Sequence, residues 1–206
     1  MDRSVARRLL AVSIYANAFV VGGVLMGFEM LGSRYLYPYF GGGIGTWASL
    51  ISTVLLALTI GYFAGGEIVD HYPTPRVIAT AVGLAAAYLA LVPVTADSVM
   101  AGILDRMGDG PSGILTGAAA LLLLPLSFLG TFSPVAIRLL IRTTEESGRV
   151  AGFVYGISTV GSVFGTLFTT FTLIPTIGSR AITYLFAGVL ALCAASLFLS
   201  RAEERA

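Results

Sequence analysis

Residues 181–200 read AITYLFAGVLALCAASLFLS and contain no Asp, Glu, Lys, Arg or His. A helix rises about 1.5 Å per residue, so about 20 apolar residues cross a hydrocarbon core about 30 Å thick. Five further intervals without charged residues are at least as long: 9–28, 35–66, 77–96, 110–137 and 150–179. The sequence therefore predicts an all-α polytopic membrane protein with six transmembrane helices.

Turn signals place the ends of these helices. Four glycines between positions 41 and 45 favour a turn before the second helix. Pro175 and Gly178 favour an exit from the fifth helix. The predicted helices cover about 9–31, 46–64, 77–96, 113–136, 151–174 and 181–200, and residues 1–206 are expected to form a single integral membrane domain.

The composition excludes several classes of protein. With 56% hydrophobic and 11% charged residues, the chain is too apolar for a soluble domain of this length. A net charge of +1 provides no basic surface for nucleic acid. Cys193 is the single cysteine and His71 the single histidine, so neither an internal disulfide nor a metal-binding Cys/His spacing is available. We expect no cofactor.

The arginines predict the orientation in the membrane. Alternating loops place Arg34, Arg106 and Arg180 on one side, and the remaining nine of the twelve basic residues on the other. Cytoplasmic loops carry the excess of basic residues. We therefore expect both ends to be cytoplasmic and the chain to lie in the inner membrane of the cell. A signal peptide cleaved after Ala18 is the alternative, but the apolar run continues through Met26, which favours an uncleaved helix.

Small residues are concentrated in the fifth predicted helix. Gly152, Gly156, Gly161 and Gly165 form two Gly-x-x-x-Gly pairs there, a pattern that lets helices approach closely in lipid. We favour tight helix packing over sliding against a neighbour. Three helices on each side of the loop 97–109 also suggest a three-plus-three inverted repeat, as in half of a major-facilitator transporter, although the two halves share no convincing identity.

Charged and aromatic residues around the first predicted turn are candidates for substrate binding or gating. Glu29 and Arg34 could form a buried ion pair that closes the outer end or contacts a substrate, if the chain turns at Gly32. The alternative is an acid and a base at headgroup level, wetted by water. Trp47 is also a candidate, although a belt of aromatic residues at the membrane interface explains it better.

Three more candidates are expected at the cytoplasmic side. Asp70 and Arg76 could anchor the loop between the second and third helices by pairing with a helix end, or they could lie in a solvated turn. Arg138 could hold an anionic group together with Arg142, or both could reach to the lipid headgroups.

Enzymatic and proton-driven functions are disfavoured. A single histidine leaves no Ser/His/Asp set, and no nucleotide-binding Gly-x-Gly-x-x-Gly follows a strand. Because every acid is expected at a helix end or in a loop, a proton-driven pump also lacks its acid. Catalysis on a lipid or polyamine would have only Glu29, Asp70 and Arg138 to use.

At these features the sequence resembles the membrane portion of the fused major-facilitator/spermidine-synthase-like proteins. The resemblance covers nearly the whole chain and rests on ordered motifs, together with the glycine-rich fifth helix. The motifs are Glu29 and Arg34 followed by YPYFG at 37–41 and Trp47, the stretch 61–66 before Asp70 and Pro75-Arg76, and Ser133-Pro134 with Arg138. The segment GGEIVDHYPTPR at 65–76 is also similar to the loop between helices 2 and 3 of major-facilitator transporters.

This resemblance implies a membrane module without the family's catalytic half. Family members continue into a soluble aminopropyltransferase domain, whereas this sequence stops at Ala206, so no catalytic residue carries over. We expect a free-standing module that acts as a homo-oligomer or with a separate synthase-like partner, in the transport of a small polyamine-like molecule. A scaffold that anchors a cytoplasmic enzyme or a membrane complex is the alternative.

The orientation can be tested with topology reporters fused after Arg205 and after Asp105. Because both ends are expected inside, the first fusion should give a cytoplasmic signal and the second an external one. A cytoplasmic signal from the fusion after Asp105 would reverse the orientation.

Overall fold

The computed structural model describes residues 3–141 and 143–199. Within them the chain is helical and forms no strand. Six helical spans are long and apolar enough to cross a membrane, which confirms the prediction of an all-α six-helix membrane protein. Arg142, Arg205 and the predicted end of the sixth helix at 200 lie outside the described residues.

Eight α-helices build the six spans. The first three spans are α1 (Arg3–Phe40), α2 (Ile44–His71) and α3 (Pro75–Met107). The fourth consists of α4 (Pro111–Gly130) and α5 (Phe132–Leu140), which meet at Thr131. The fifth runs through a 3₁₀ turn (Thr144–Glu146), α6 (Ser147–Phe168), a π-helical segment (Thr169–Leu173) and α7 (Ile174–Thr176), and the sixth is α8 (Ser179–Leu199).

Glycine follows the ends of α1 and α3, and proline stands at the starts of α3 and α4. Gly41 and Gly108 adopt positive φ angles of 72° and 73°, which disfavour other residues, immediately after α1 and α3. Pro75 and Pro111 stand in the first turns of α3 and α4, where a missing N–H costs no hydrogen bond. Consecutive spans run in opposite directions, so the start of α1 at residue 3 and the end of α8 at residue 199 lie at the same end of the bundle.

The first helix is longer than the sequence suggested. It passes through Gly32 without a turn and continues to Phe40, whereas the predicted helix stops near residue 31. An α-helix satisfies its own backbone hydrogen bonds, so it can extend past the charges at Glu29 and Arg34 without exposing unpaired groups to lipid. Glu29 therefore lies inside a span.

The first and fifth spans lie in direct backbone contact. A methyl group at Gly161 would overlap the carbonyl oxygen of Phe19, and one at Gly165 would overlap that of Gly23. The two contacts are four residues apart on each helix and run in the same direction, so the helices are parallel. Only glycine permits this approach.

The second and fourth spans make the matching contact. A methyl group at Gly61 would overlap the carbonyl oxygen of Ser127, and one at Gly65 would lie 2.9 Å from that of Thr131. The spacing is again four residues on each helix. This second pair is parallel within itself and runs opposite to the first pair.

The two sets of contacts indicate a structural repeat in which span 1 corresponds to span 4, span 2 to span 5, and span 3 to span 6. Gly61 and Gly65 correspond to Gly161 and Gly165. The remaining major packing also respects this correspondence, because α3 packs on α8 and on α4, and α1 packs on α8. Since the corresponding spans run in opposite directions, the halves form an inverted three-plus-three arrangement.

The third and sixth spans form the other side of the bundle. The hydroxyls of Tyr35 in α1 and Thr183 in α8 are hydrogen-bonded at 2.9 Å, and Arg180 pairs with Asp97 at the end of the bundle opposite the chain termini. The most apolar windows of the second and fifth spans are 33% and 17% buried, the lowest values of the six. These two spans therefore present the most open surface.

Substitution of Gly165 tests the close contact between the first and fifth spans. We expect Gly165→Ala to lower stability by about 1–3 kcal/mol, because the added methyl group overpacks the interface. Thermal unfolding of purified protein in mild detergent measures the change. Gly188→Ala is the matched control, since a methyl group at Gly188 meets nothing within 4 Å. Equal midpoints for both variants and the wild type would contradict the contact.

Candidate functional site

A groove opens where the first, second, fourth and fifth spans meet. Its volume is about 110 Å³. The first and second spans belong to one half of the repeat and the fourth and fifth to the other, so the groove lies between the two halves. Its lining includes Gly22, Leu25 and Met26 from α1, Leu58 and Tyr62 from α2, Gly130 and Ser133 from the fourth span, and Tyr155, Ser158, Thr159 and Ser162 from α6.

Hydroxyl groups give the groove its chemistry. Tyr155, Ser158, Thr159 and Ser162 follow the i, i+3, i+4, i+7 spacing of one helix face. The Ser162 hydroxyl is within hydrogen-bonding distance of two carbonyl oxygens, Gly22 of α1 at 3.2 Å and Ser158 at 3.0 Å. Tyr62 lines the opposite wall.

Glu29 lies on the same face of α1 as two residues of the groove. Gly22 and Leu25 line it, and Glu29 follows them by seven and four residues, about two turns and one turn of helix. The Glu29 residue is only 7% exposed. No hydrogen bond or ion pair to Glu29 occurs within residues 3–141 and 143–199. The acid is therefore buried beside the groove without a counter-charge from the described part of the chain.

The structure does not bring Arg34 to Glu29. Five residues of continuous helix rotate Arg34 by about 140° from the Glu29 face. Arg34 is exposed and makes no ion pair with a described residue. Trp47, 38% exposed, lies near the start of α2 and does not line the groove.

Two candidates from the expected cytoplasmic side do meet. Asp70 at the end of α2 pairs with Arg138 of α5, with 3.7 Å between Oδ1 and Nε. The two side chains are 72% and 54% exposed, so the pair contributes at most about 1 kcal/mol. Arg76 is exposed and pairs with no acid among the described residues. The Asp70–Arg138 pair joins two spans at the membrane surface, away from the groove.

The four glycines of the fifth span divide into two pairs. Gly161 and Gly165 touch α1, whereas a methyl group at Gly152 or Gly156 would meet nothing within 4 Å. Gly152 and Gly156 instead line a shallow apolar depression of about 270 Å³ beside Phe19. This depression contains no charged side chain.

The four hydroxyl residues on one face of α6 are the part of the site that the sequence did not predict. The glycines of this helix predicted only tight packing, and none of the four hydroxyl residues was a candidate. The i, i+3, i+4, i+7 spacing of the four hydroxyl residues indicates one polar helix face. The glycines between them favour a packing surface instead, and so draw attention away from this pattern.

Comparisons of the chain with protein-family models, with curated protein sequences and with solved structures find no match. The resemblance to the spermidine-synthase-like membrane proteins thus stays a prediction from motifs. The groove itself offers hydroxyl donors and acceptors, and Glu29, which does not line it, lies one helical turn beyond Leu25 on the same face of α1. Among the described residues, no three His, Cys, Asp or Glu side chains lie together as metal ligands.

Replacing Glu29 with a neutral side chain of similar length should stabilise the protein. Because a buried acid without a partner is costly, we expect Glu29→Met to raise stability by about 1–3 kcal/mol, measured by thermal unfolding in detergent. Glu67→Met is the control, since the Glu67 side chain is 79% exposed and its replacement should change little. A loss of stability in Glu29→Met would show that the acid has a stabilising partner.

Proposed function

We propose that the chain is half of a major-facilitator-like carrier for a small polyamine-like cation. The half becomes complete by forming a homodimer or by binding a second membrane protein. It lies in the inner membrane with both ends in the cytoplasm, as the distribution of arginines favours.

The observation that carries this proposal is the hydroxyl-lined groove between the two halves of an inverted repeat. Carriers with inverted repeats bind their substrates at the repeat interface near the middle of the membrane. The groove of one chain holds about 110 Å³, whereas small-molecule sites typically enclose about 300–1,000 Å³. A facing surface is needed to enlarge and close it, and the open second and fifth spans flank the groove where that surface would pack.

The distribution of charge favours a cation. Glu29 is the buried acid beside the groove, and every arginine in residues 8–141 and 143–199 is exposed. An ammonium group would find a carboxylate for its charge and hydroxyl oxygens for its N–H donors. The resemblance to spermidine-synthase-like proteins supports a polyamine within this class.

The scaffold alternative predicts a different behaviour. A scaffold needs no polar groove, and its stability and partner binding would not depend on the groove hydroxyls. Purification in mild detergent with mass measurement and identification of co-purifying proteins separates the two. A complex of two chains or a stoichiometric membrane partner supports the carrier, whereas a lone monomer contradicts the half-carrier proposal.

Uptake of radiolabelled spermidine into proteoliposomes tests the groove directly. We expect Thr159→Leu to reduce the initial rate at least about tenfold, because the side chain fills the groove and removes a hydroxyl. Thr95→Leu is a matched control. Both threonines are exposed and donate to the carbonyl four residues earlier, at 2.8 Å for Thr159 and 3.0 Å for Thr95, but only Thr159 lines the groove.

Equal rates for Thr159→Leu and Thr95→Leu would remove the groove from the transport path. Absence of uptake by the wild-type protein, reconstituted together with any partner that co-purifies, would contradict the carrier itself.

A further inference from the structure

The depth of Glu29 in the first span is the starting point. The membrane-spanning part of α1 extends from Arg8 to Phe40, with its middle at Val24. A core about 30 Å thick covers about ten residues on each side of that middle. Glu29 falls within this range. Glu29 is therefore an acid in the membrane interior, whereas the sequence alone placed this residue at a helix end.

The surroundings of Glu29 supply no described positive charge. The described basic groups on elements packed against α1 stand at helix ends: His71, Arg76, Arg106, Arg138, Arg149 and Arg180. Arg138 and Arg180 are paired with Asp70 and Asp97. α4 carries no charged residue. Tyr62 and Tyr155 also face the groove, and a phenol group carries no positive charge.

An isolated carboxylate is costly in an apolar interior, whereas a protonated carboxyl group costs far less. Hence Glu29 is most stable as the neutral acid when the groove is empty. An ammonium group in the groove reverses this preference, because it provides the missing opposite charge.

From this geometry we propose that Glu29 is a proton-binding site that exchanges its proton for a cation in the groove. The exchange of the proton for a cation rests on the proposed function. Proton binding does not, because it follows from the burial of Glu29. In the exchange the carboxyl O–H bond breaks, the proton passes to water, and the carboxylate binds the incoming ammonium group. One proton leaves as one ammonium group binds, so the carboxylate and that ammonium group together remain neutral.

This exchange makes transport responsive to a proton gradient. Protons on the side of higher concentration return Glu29 to its neutral form and release the cation there. The cation therefore moves in the direction opposite to the protons.

Dicyclohexylcarbodiimide, an apolar reagent for protonated carboxyl groups, tests the protonation. The acid proton moves to a carbodiimide nitrogen and the carboxyl oxygen bonds to the central carbon, and the adduct then rearranges to a stable N-acylurea. In wild-type proteoliposomes we expect a single adduct at Glu29, located by mass spectrometry of peptides. Above the midpoint of the Glu29 titration, the initial labelling rate should fall by about tenfold per pH unit.

Three variants test whether the labelling is specific to Glu29. Glu29→Gln should give no adduct, and Glu29→Asp should restore labelling because it keeps an acid on the same helix face. Glu67→Gln should label like the wild type, since the Glu67 side chain is 79% exposed to water and the apolar reagent partitions into the membrane. Gel-filtration profiles of the variants show whether each remains folded.

Two results would overturn the proton site. One is an adduct on exposed acids but not on Glu29. The other is labelling of Glu29 whose rate does not change with pH. If Glu29 is labelled as expected but spermidine neither slows the labelling nor is taken up, the proton site stands and the carrier proposal fails. If spermidine is taken up without labelling of Glu29, the carrier stands and the proton site fails.

Discussion

The architecture depends on direct contact between helix backbones at two glycine pairs. Helices in lipid gain little from hydrophobic burial against each other, so close packing and hydrogen bonds must hold them together. Gly161 and Gly165 bring the fifth span onto α1, and Gly61 and Gly65 bring the second span onto the fourth. Because each pair is parallel and the two pairs are opposed, these four positions fix the inverted arrangement of the halves.

The hydroxyl groove follows from these contacts. Ser158 and Ser162 each precede one of the contact glycines of α6 by three residues, and the Ser162 hydroxyl lies within hydrogen-bonding distance of the carbonyl of Gly22. The close approach of the backbones thus brings a hydroxyl-bearing face of α6 onto α1 and places a polar groove between the two halves.

The number of spans could be predicted from the sequence because a run of about 20 residues without charges is itself a property of the sequence. The end of α1 could not, because a helix is continued by its own hydrogen bonds and not by apolarity, so Glu29 was placed at a boundary that does not exist. The glycines show a second limit. Gly152/Gly156 and Gly161/Gly165 have the same spacing, but only the second pair faces a neighbouring helix, and which face meets a neighbour is decided by the tertiary structure.

The repeat is closely matched in its glycines, but not in its charge. Gly165 contacts Gly23 and Gly65 contacts Thr131, so the repeat makes Gly23 equivalent to Thr131. Six residues further along each helix, Glu29 corresponds to Ile137. Two identical halves would be related by a two-fold axis in the membrane plane, and the two sides of the bundle would then be equivalent. An acid in the first half where the second half has an isoleucine removes that equivalence. The two sides of the bundle are therefore chemically distinct, even though matching glycine contacts hold both halves together.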